Sequence, residues 1–150
     1  MILEIVLTML AAWCSLYVMK VMRIAHPDLR DANGHPMGPY NARDAVTIDD
    51  DELWDVVDEA AHVYGLPRRA TPPPYTEGID FVQRVHRSGF LYLWQAQRWF
   101  DDLLYELALD GWMVLVYEVP DEHVQVSDSQ VAFEIAQAEV VEAHLISDLI

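Results

Sequence analysis

"GWMVLVYEVPDEHVQVSDSQVAFEIAQAEVVEAHLISDLI", residues 111–150, is the stretch on which the fold turns. It follows Asp110, which with Gly111 makes a turn pair, and opens with "WMVLVYEVP", an apolar run closed by Pro120. A short continuous apolar run bounded by turn residues reads as a buried strand. "QVAFEIA" then sets Val131, Phe133 and Ile135 against Ala132, Glu134 and Ala136, the alternation of a strand with one wet face. "VVEAHLIS" reads as a last strand. The C-terminal part of the chain is therefore β-structure.

The segments before it are helical. In "YLWQAQRWFDDLLYELALD", Leu93, Ala96, Phe100, Leu103 and Leu107 share one face, with Gln95, Arg98, Asp102 and Glu106 on the other. That spacing predicts a helix over 91–109, with Trp94, Trp99 and Phe100 read as core. "TIDDDELWDVVDEAAHVYG" predicts a second helix over 51–64, with Leu53, Val56, Val57, Ala60 and Tyr64 as its apolar stripe. Asp49 and Glu52 stand at the capping-box spacing, and Gly65 and Pro67 stop the run. The acidic first turn suits the positive end of the helix dipole.

Further back, "LYVMKVMRIA" alternates as a strand. "HPDLRDANGHPMGPYN", within 26–41, reads as a long loop, and so does the proline-rich stretch over 66–78. Residues 1–18 form an apolar segment, of which 2–14 read as a helix or a buried strand. The charge-free run, 5–19, falls short of the roughly 20 residues a membrane span needs. No Lys or Arg precedes it, as one would in a signal peptide, and Met19 reads as a natural start. The order of elements predicts one α+β domain over 1–150, with a mixed or antiparallel sheet and two main helices, 51–64 and 91–109.

Charge is the strongest feature. Nine Lys and Arg face 25 Asp and Glu, a net charge of −16. Residues 101–150 hold 12 acidic side chains and no Lys or Arg. Such a field repels nucleic acid and anionic membranes and attracts basic proteins. A solubility bias would be spread along the chain, whereas this one is concentrated. Cys14 is alone, so no disulfide framework is expected and a cytoplasmic location fits, the host cytoplasm if a phage encodes the chain. The six His residues never pair at metal-ligand spacing, and no metal site is expected. No phosphate loop or nucleophile elbow is present.

Four stretches, "RIAHPD…GPY", "GFLYLWQAQRWF", "GWMVLVYEV" and "VSDSQVAFEI", resemble those of small phage and mobile-element proteins with an ADP-ribosyltransferase-like fold. The resemblance implies NAD held between two small sheets. It implies catalytic roles for a first-strand Arg23 or His26, for Ser88 and for Glu134. The late Glu-x-Glu or Gln-x-Glu pattern is absent, since Glu134 and Glu139 stand five apart. The resemblance therefore carries the fold further than the reaction, and no cofactor is expected unless the enzyme reading holds.

Paired strands bring Glu118, Glu122, Asp128, Glu134, Glu139 and Glu142 to a pitch approaching that of nucleic-acid charge, and Asp101, Asp102 and Glu106 extend the array. These nine residues are the expected partner-binding set. The expectation is a small acidic inhibitor of the anti-CRISPR kind, which binds a basic nucleic-acid-handling protein by mimicking nucleic-acid charge and contacts neither nucleic acid nor membrane. An NAD-using ADP-ribosyltransferase-like enzyme is the alternative. An immunity protein against a basic nuclease toxin is a third reading.

Overall fold

A computed structural model describes residues 17–45, 51–64 and 74–150. The reading of 2–14, the Asp49 cap and the loop before Pro74 lie outside the described residues. Within them the fold is α+β, with three helices and two antiparallel sheets. No described helix is long and apolar enough to cross a membrane.

The larger sheet has four strands in the order β2-β1-β4-β7. They are β1 (Val18–Arg30), β2 (Pro36–Met37), β4 (Met113–Pro120) and β7 (Glu139–Leu145). The smaller sheet has the order β3-β6-β5, from β3 (His86–Gly89), β5 (Val124–Val126) and β6 (Val131–Glu134). Helices α1 (Asp51–Tyr64), α2 (Leu93–Phe100) and α3 (Leu103–Leu109) complete it.

Strand alternation divides the core into two layers around the larger sheet. Ile24 and Val114 face the helices and pack with Val57, Ala60, Phe100, Leu104, Leu107 and Trp112. Val21, Ala25, Leu115, Tyr117 and Val119 face the smaller sheet and pack with Val131, Phe133 and Ile135. The sheets also join through the backbone along the β1 edge: Met22 and Phe90 exchange hydrogen bonds of 2.7 and 2.8 Å. Only glycine allows that approach at position 89, since a Cβ there would stand 2.6 Å from Val21 Cγ1 and 2.7 Å from the Met22 carbonyl.

Five readings of the sequence need correction. The loop expected over 26–41 begins as strand: β1 runs on to Arg30, because His26 and Leu29 are buried and β2 pairs with its end. Pro27 is tolerated because the register is irregular between His26 and Arg30. The helix expected over 91–109 is two helices, broken at Asp101, whose φ is 48°. Gln95, expected on the wet face, is buried. Its Oε1 accepts the N–H groups of Leu91 and Tyr92, so it caps the helix start, and Nε2 reaches the Asp128 carbonyl. Ala132, also expected wet, is 1 % exposed, and Trp94, read as core, is 53 % exposed.

Candidate functional site

The open end of the larger sheet holds the first group of carboxylates. Among the described residues β7 pairs only with β4, and all of its residues except the half-buried His144 are exposed. Register sets Lys20 opposite Glu118 and Glu118 opposite Glu139. Glu142 Oε1 stands 3.8 Å from Lys20 Nζ, and Oε2 3.2 Å from His144 Nε2. The His144 ring and then the Lys20 charge hold the Glu142 carboxyl below its usual range. Lys20 pairs with Glu142, and register places Glu118 and Glu139 as cross-strand neighbours beside that pair. Like charges on facing strands destabilise a sheet, by up to about 1 kcal/mol per pair. Val140, Val141 and Leu145 add exposed apolar surface along the same strand.

The remaining acidic candidates lie elsewhere. Asp101, Asp102 and Glu106 are exposed around the break between α2 and α3, where the two aspartates border a shallow 510 Å³ depression with Tyr105 and Ile150. Glu134 makes a very short contact with Nδ1 of His123, and Glu122 lies 3.5 Å from its Nε2. Asp128 sits in the turn between β5 and β6. The nine residues therefore fall into an edge group, a helix-break group and a group on the smaller sheet.

The three residues singled out by the resemblance are held as follows. Arg23 is 8 % exposed, and its Nη1 donates to the Ser88 carbonyl at 2.6 Å. Nη2 lies against Gly38, where a Cβ would be 2.6 Å away. Among the described residues Nε has no partner, and neither does the buried Tyr117 hydroxyl. Burial lowers the Arg23 pKa to about 10, Arg87 pushes the same way, and Tyr117 opposes them. The guanidinium stays charged at neutral pH. Ser88 faces Ala132, and Glu134 faces His86. Ser88 and Glu134 thus share a face of the smaller sheet, and the opposite face, through Gly89, meets Val21 of β1. Arg23 reaches the smaller sheet from the β1 side, so it meets Ser88 only through the backbone.

His26 is buried edge-on against Trp112, with ring centroids 5.3 Å apart at 84°. Its Nδ1 accepts the Asp28 N–H, which leaves Nε2–H to donate to the Asp110 carbonyl at 3.3 Å. Burial pushes its pKa down, against the Asp110 carbonyl and the Asp28 charge. This is a neutral packing histidine. Among the described residues no three His, Cys, Asp or Glu side chains converge to hold a metal ion.

Sequence reasoning missed a carboxylate clasp. Glu77 ends a 3₁₀ turn (Pro74–Glu77) and reaches the β5–β6 turn about fifty residues on. It accepts from Ser127 Oγ at 2.9 Å, from Ser129 Oγ and from Gln130 Nε2 at 3.0 Å. Burial pushes the Glu77 pKa up, but the hydrogen bonds from Ser129, Gln130 and Ser127 outweigh it and hold the carboxyl below its usual range. Glu77 and Ser129 of the clasp line a 380 Å³ pocket together with Trp94 and Trp99. The "SDSQ" run of short polar side chains was the available signal, but its partner lay too far along the chain to be read.

The family model described as Bacteriophage T4 Y00F protein matches residues 19–147. No ADP-ribosyltransferase or anti-CRISPR family matches. None of the curated proteins compared matches the chain, and none of the solved structures does.

Proposed function

The chain belongs to the bacteriophage T4 Y00F protein family, and from that premise we propose that it is an acidic inhibitor, of the anti-CRISPR kind, that binds a basic nucleic-acid-handling protein. The carrying observation is the row of carboxylates at the open edge of the larger sheet: Glu118 facing Glu139, with Glu142 beside them on an exposed strand. Facing carboxylates cost the fold stability. Their retention at a strand that offers free backbone groups and apolar side chains supports a surface kept for a partner. A partner that normally grips phosphates with Lys and Arg finds the same sign of charge there, and counterion release adds to the affinity.

The enzyme reading has less support, because His123 engages Glu134 and Arg23 is enclosed by Gly38 and the Ser88 carbonyl. The immunity-protein reading uses the same surface and differs only in the protein bound.

Affinity capture from host lysate tests the proposal. Captured proteins should be basic nucleic-acid binders, released by raised salt and by added duplex DNA. Capture that ignores both, or that survives the combined change of Glu118, Glu139 and Glu142 to Gln, overturns it.

A further inference from the structure

We infer that the pocket between Trp94 and Trp99 is an anchor site for a single arginine side chain of a partner protein. The inference takes the basic character of that partner from the reading above, but the site stands on its own geometry. Three features define the ligand class.

Two indoles line the pocket. Trp99 is fixed, with its Nε1 donating to the Tyr40 hydroxyl and its ring edge-on to Phe90 at 5.7 Å. Trp94 is half exposed and stacked on Tyr92, with centroids 6.3 Å apart and planes within 10°. Indole faces attract cations, and guanidinium groups stack on them.

An ionised carboxylate, Glu77, lines it with them. Ser127, Ser129 and Gln130 satisfy Glu77 with neutral donors, which stabilise its charge without cancelling it. Asp128 adds a second, exposed carboxylate at the same pocket. Phosphate-bearing ligands, nucleotides included, meet repulsion there.

The volume, 380 Å³, lies at the low end for small-molecule sites and suits one side chain. Arg98, exposed, lines the same pocket and is a cation already present at its rim. It competes with an incoming guanidinium.

The test titrates the full chain with N-acetyl-arginine amide, with its neutral isostere N-acetyl-citrulline amide and with AMP, followed by tryptophan fluorescence and the indole N–H resonances. Saturable arginine binding at least tenfold tighter than citrulline binding supports the site. Trp94→Ala should weaken it about fivefold. Asp128→Asn, an exposed change that leaves the clasp intact, should weaken it by a smaller factor, and Arg98→Ala should strengthen it. Equal binding of citrulline, tighter binding of AMP, no saturable binding, or weakening by Arg98→Ala overturns the site. Replacing Glu118, Glu139 and Glu142 by Gln leaves this titration unchanged. Failure here with salt-sensitive lysate capture intact sinks the pocket alone, and the reverse pattern sinks the edge reading alone.

Discussion

The two edges of the larger sheet are built on opposite principles. At one edge β2 is two residues long, begins with Pro36, and is buried throughout, with Met37 2 % exposed. The 3₁₀ turn over Pro39–Asp44 follows it directly. The hairpin is tied back to the smaller sheet by Asp31, which accepts the N–H groups of Asn33 and His35 and the Arg87 guanidinium at 2.9 Å. Burial pushes the Asp31 carboxyl up, but these partners outweigh it and hold it below its usual range. At the other edge β7 is seven residues long, exposed and flanked by carboxylates. Edge strands are commonly blunted by proline, by shortness or by charge. The first edge uses the first two devices. The second has only charge and a register shift at Val116–Tyr117. Among the described residues the second edge has no further strand beside it, and that contrast is what supports the proposed partner surface there.

The largest effect separates the edges by stability. Met37→Ala should cost about 2–5 kcal/mol, since it empties a buried site that the surroundings fill only in part. Val141→Ala, at a site 39 % exposed, should stay within about 0.5 kcal/mol. Urea midpoints check both. Equal losses would mean that β7 is as integral to the fold as β2, and the contrast would fail.

The next effect separates them by binding. Changing Glu118, Glu139 and Glu142 together to Gln should weaken partner capture about tenfold or more, chiefly through a slower on-rate. Stability should hold or rise, because the Glu118–Glu139 repulsion is relieved. Unchanged capture would reduce the carboxylates to edge protection.

How much of this was legible varied with the physics of each element. α1 was readable to its ends because Val57 and Ala60 recur at helical spacing and the stripe is what packs. The break after α2 was not. The apolar face runs through Leu103 without interruption, and only the backbone at Asp101, which no periodicity reports, turns the chain. β3 is "HRSG", polar and short, and owes its strand state to β6 beside it and to the close approach that Gly89 permits. The acidic residues were legible by count. Their division among three places follows from strand register, and the Glu77 clasp from contacts fifty residues apart.

Acid should act on the closed edge first. His26 faces Met37 in the β1–β2 register, and its folded pKa lies below the ordinary 6.5. The unfolded chain therefore takes up a proton before the folded one does. Stability falls as pH drops from 6.5 toward the folded value, and is fully restored above 6.5. Glu142, at the open edge, has a lowered carboxyl pKa and full exposure, so any effect there begins only below about pH 4.5. Urea midpoints for the wild type and His26→Gln between pH 7.5 and 5.5 check this. The variant, whatever its absolute stability, should lose the His26 contribution to the slope. An unchanged slope would place the acid sensitivity elsewhere.

The smallest effect lies away from both edges and decides which acidic group meets the partner. Asp101 turns the chain between α2 and α3 at φ 48° and ψ −129°, a conformation that a side chain makes costly and glycine adopts freely. Its carboxylate is exposed. Asp101→Gly removes one charge and relieves the backbone together, and it should stabilise the fold by about 0.5–1 kcal/mol. Glycine also loosens the unfolded chain, which sets the upper end of that gain. If the open edge is the contact, capture by Asp101→Gly should match the wild type at every salt concentration, while the Glu118, Glu139 and Glu142 variant fails. If capture drops with Asp101→Gly although the fold is firmer, the contact lies at the helix break with Asp102 and Glu106. The openness of β7 would then need another explanation.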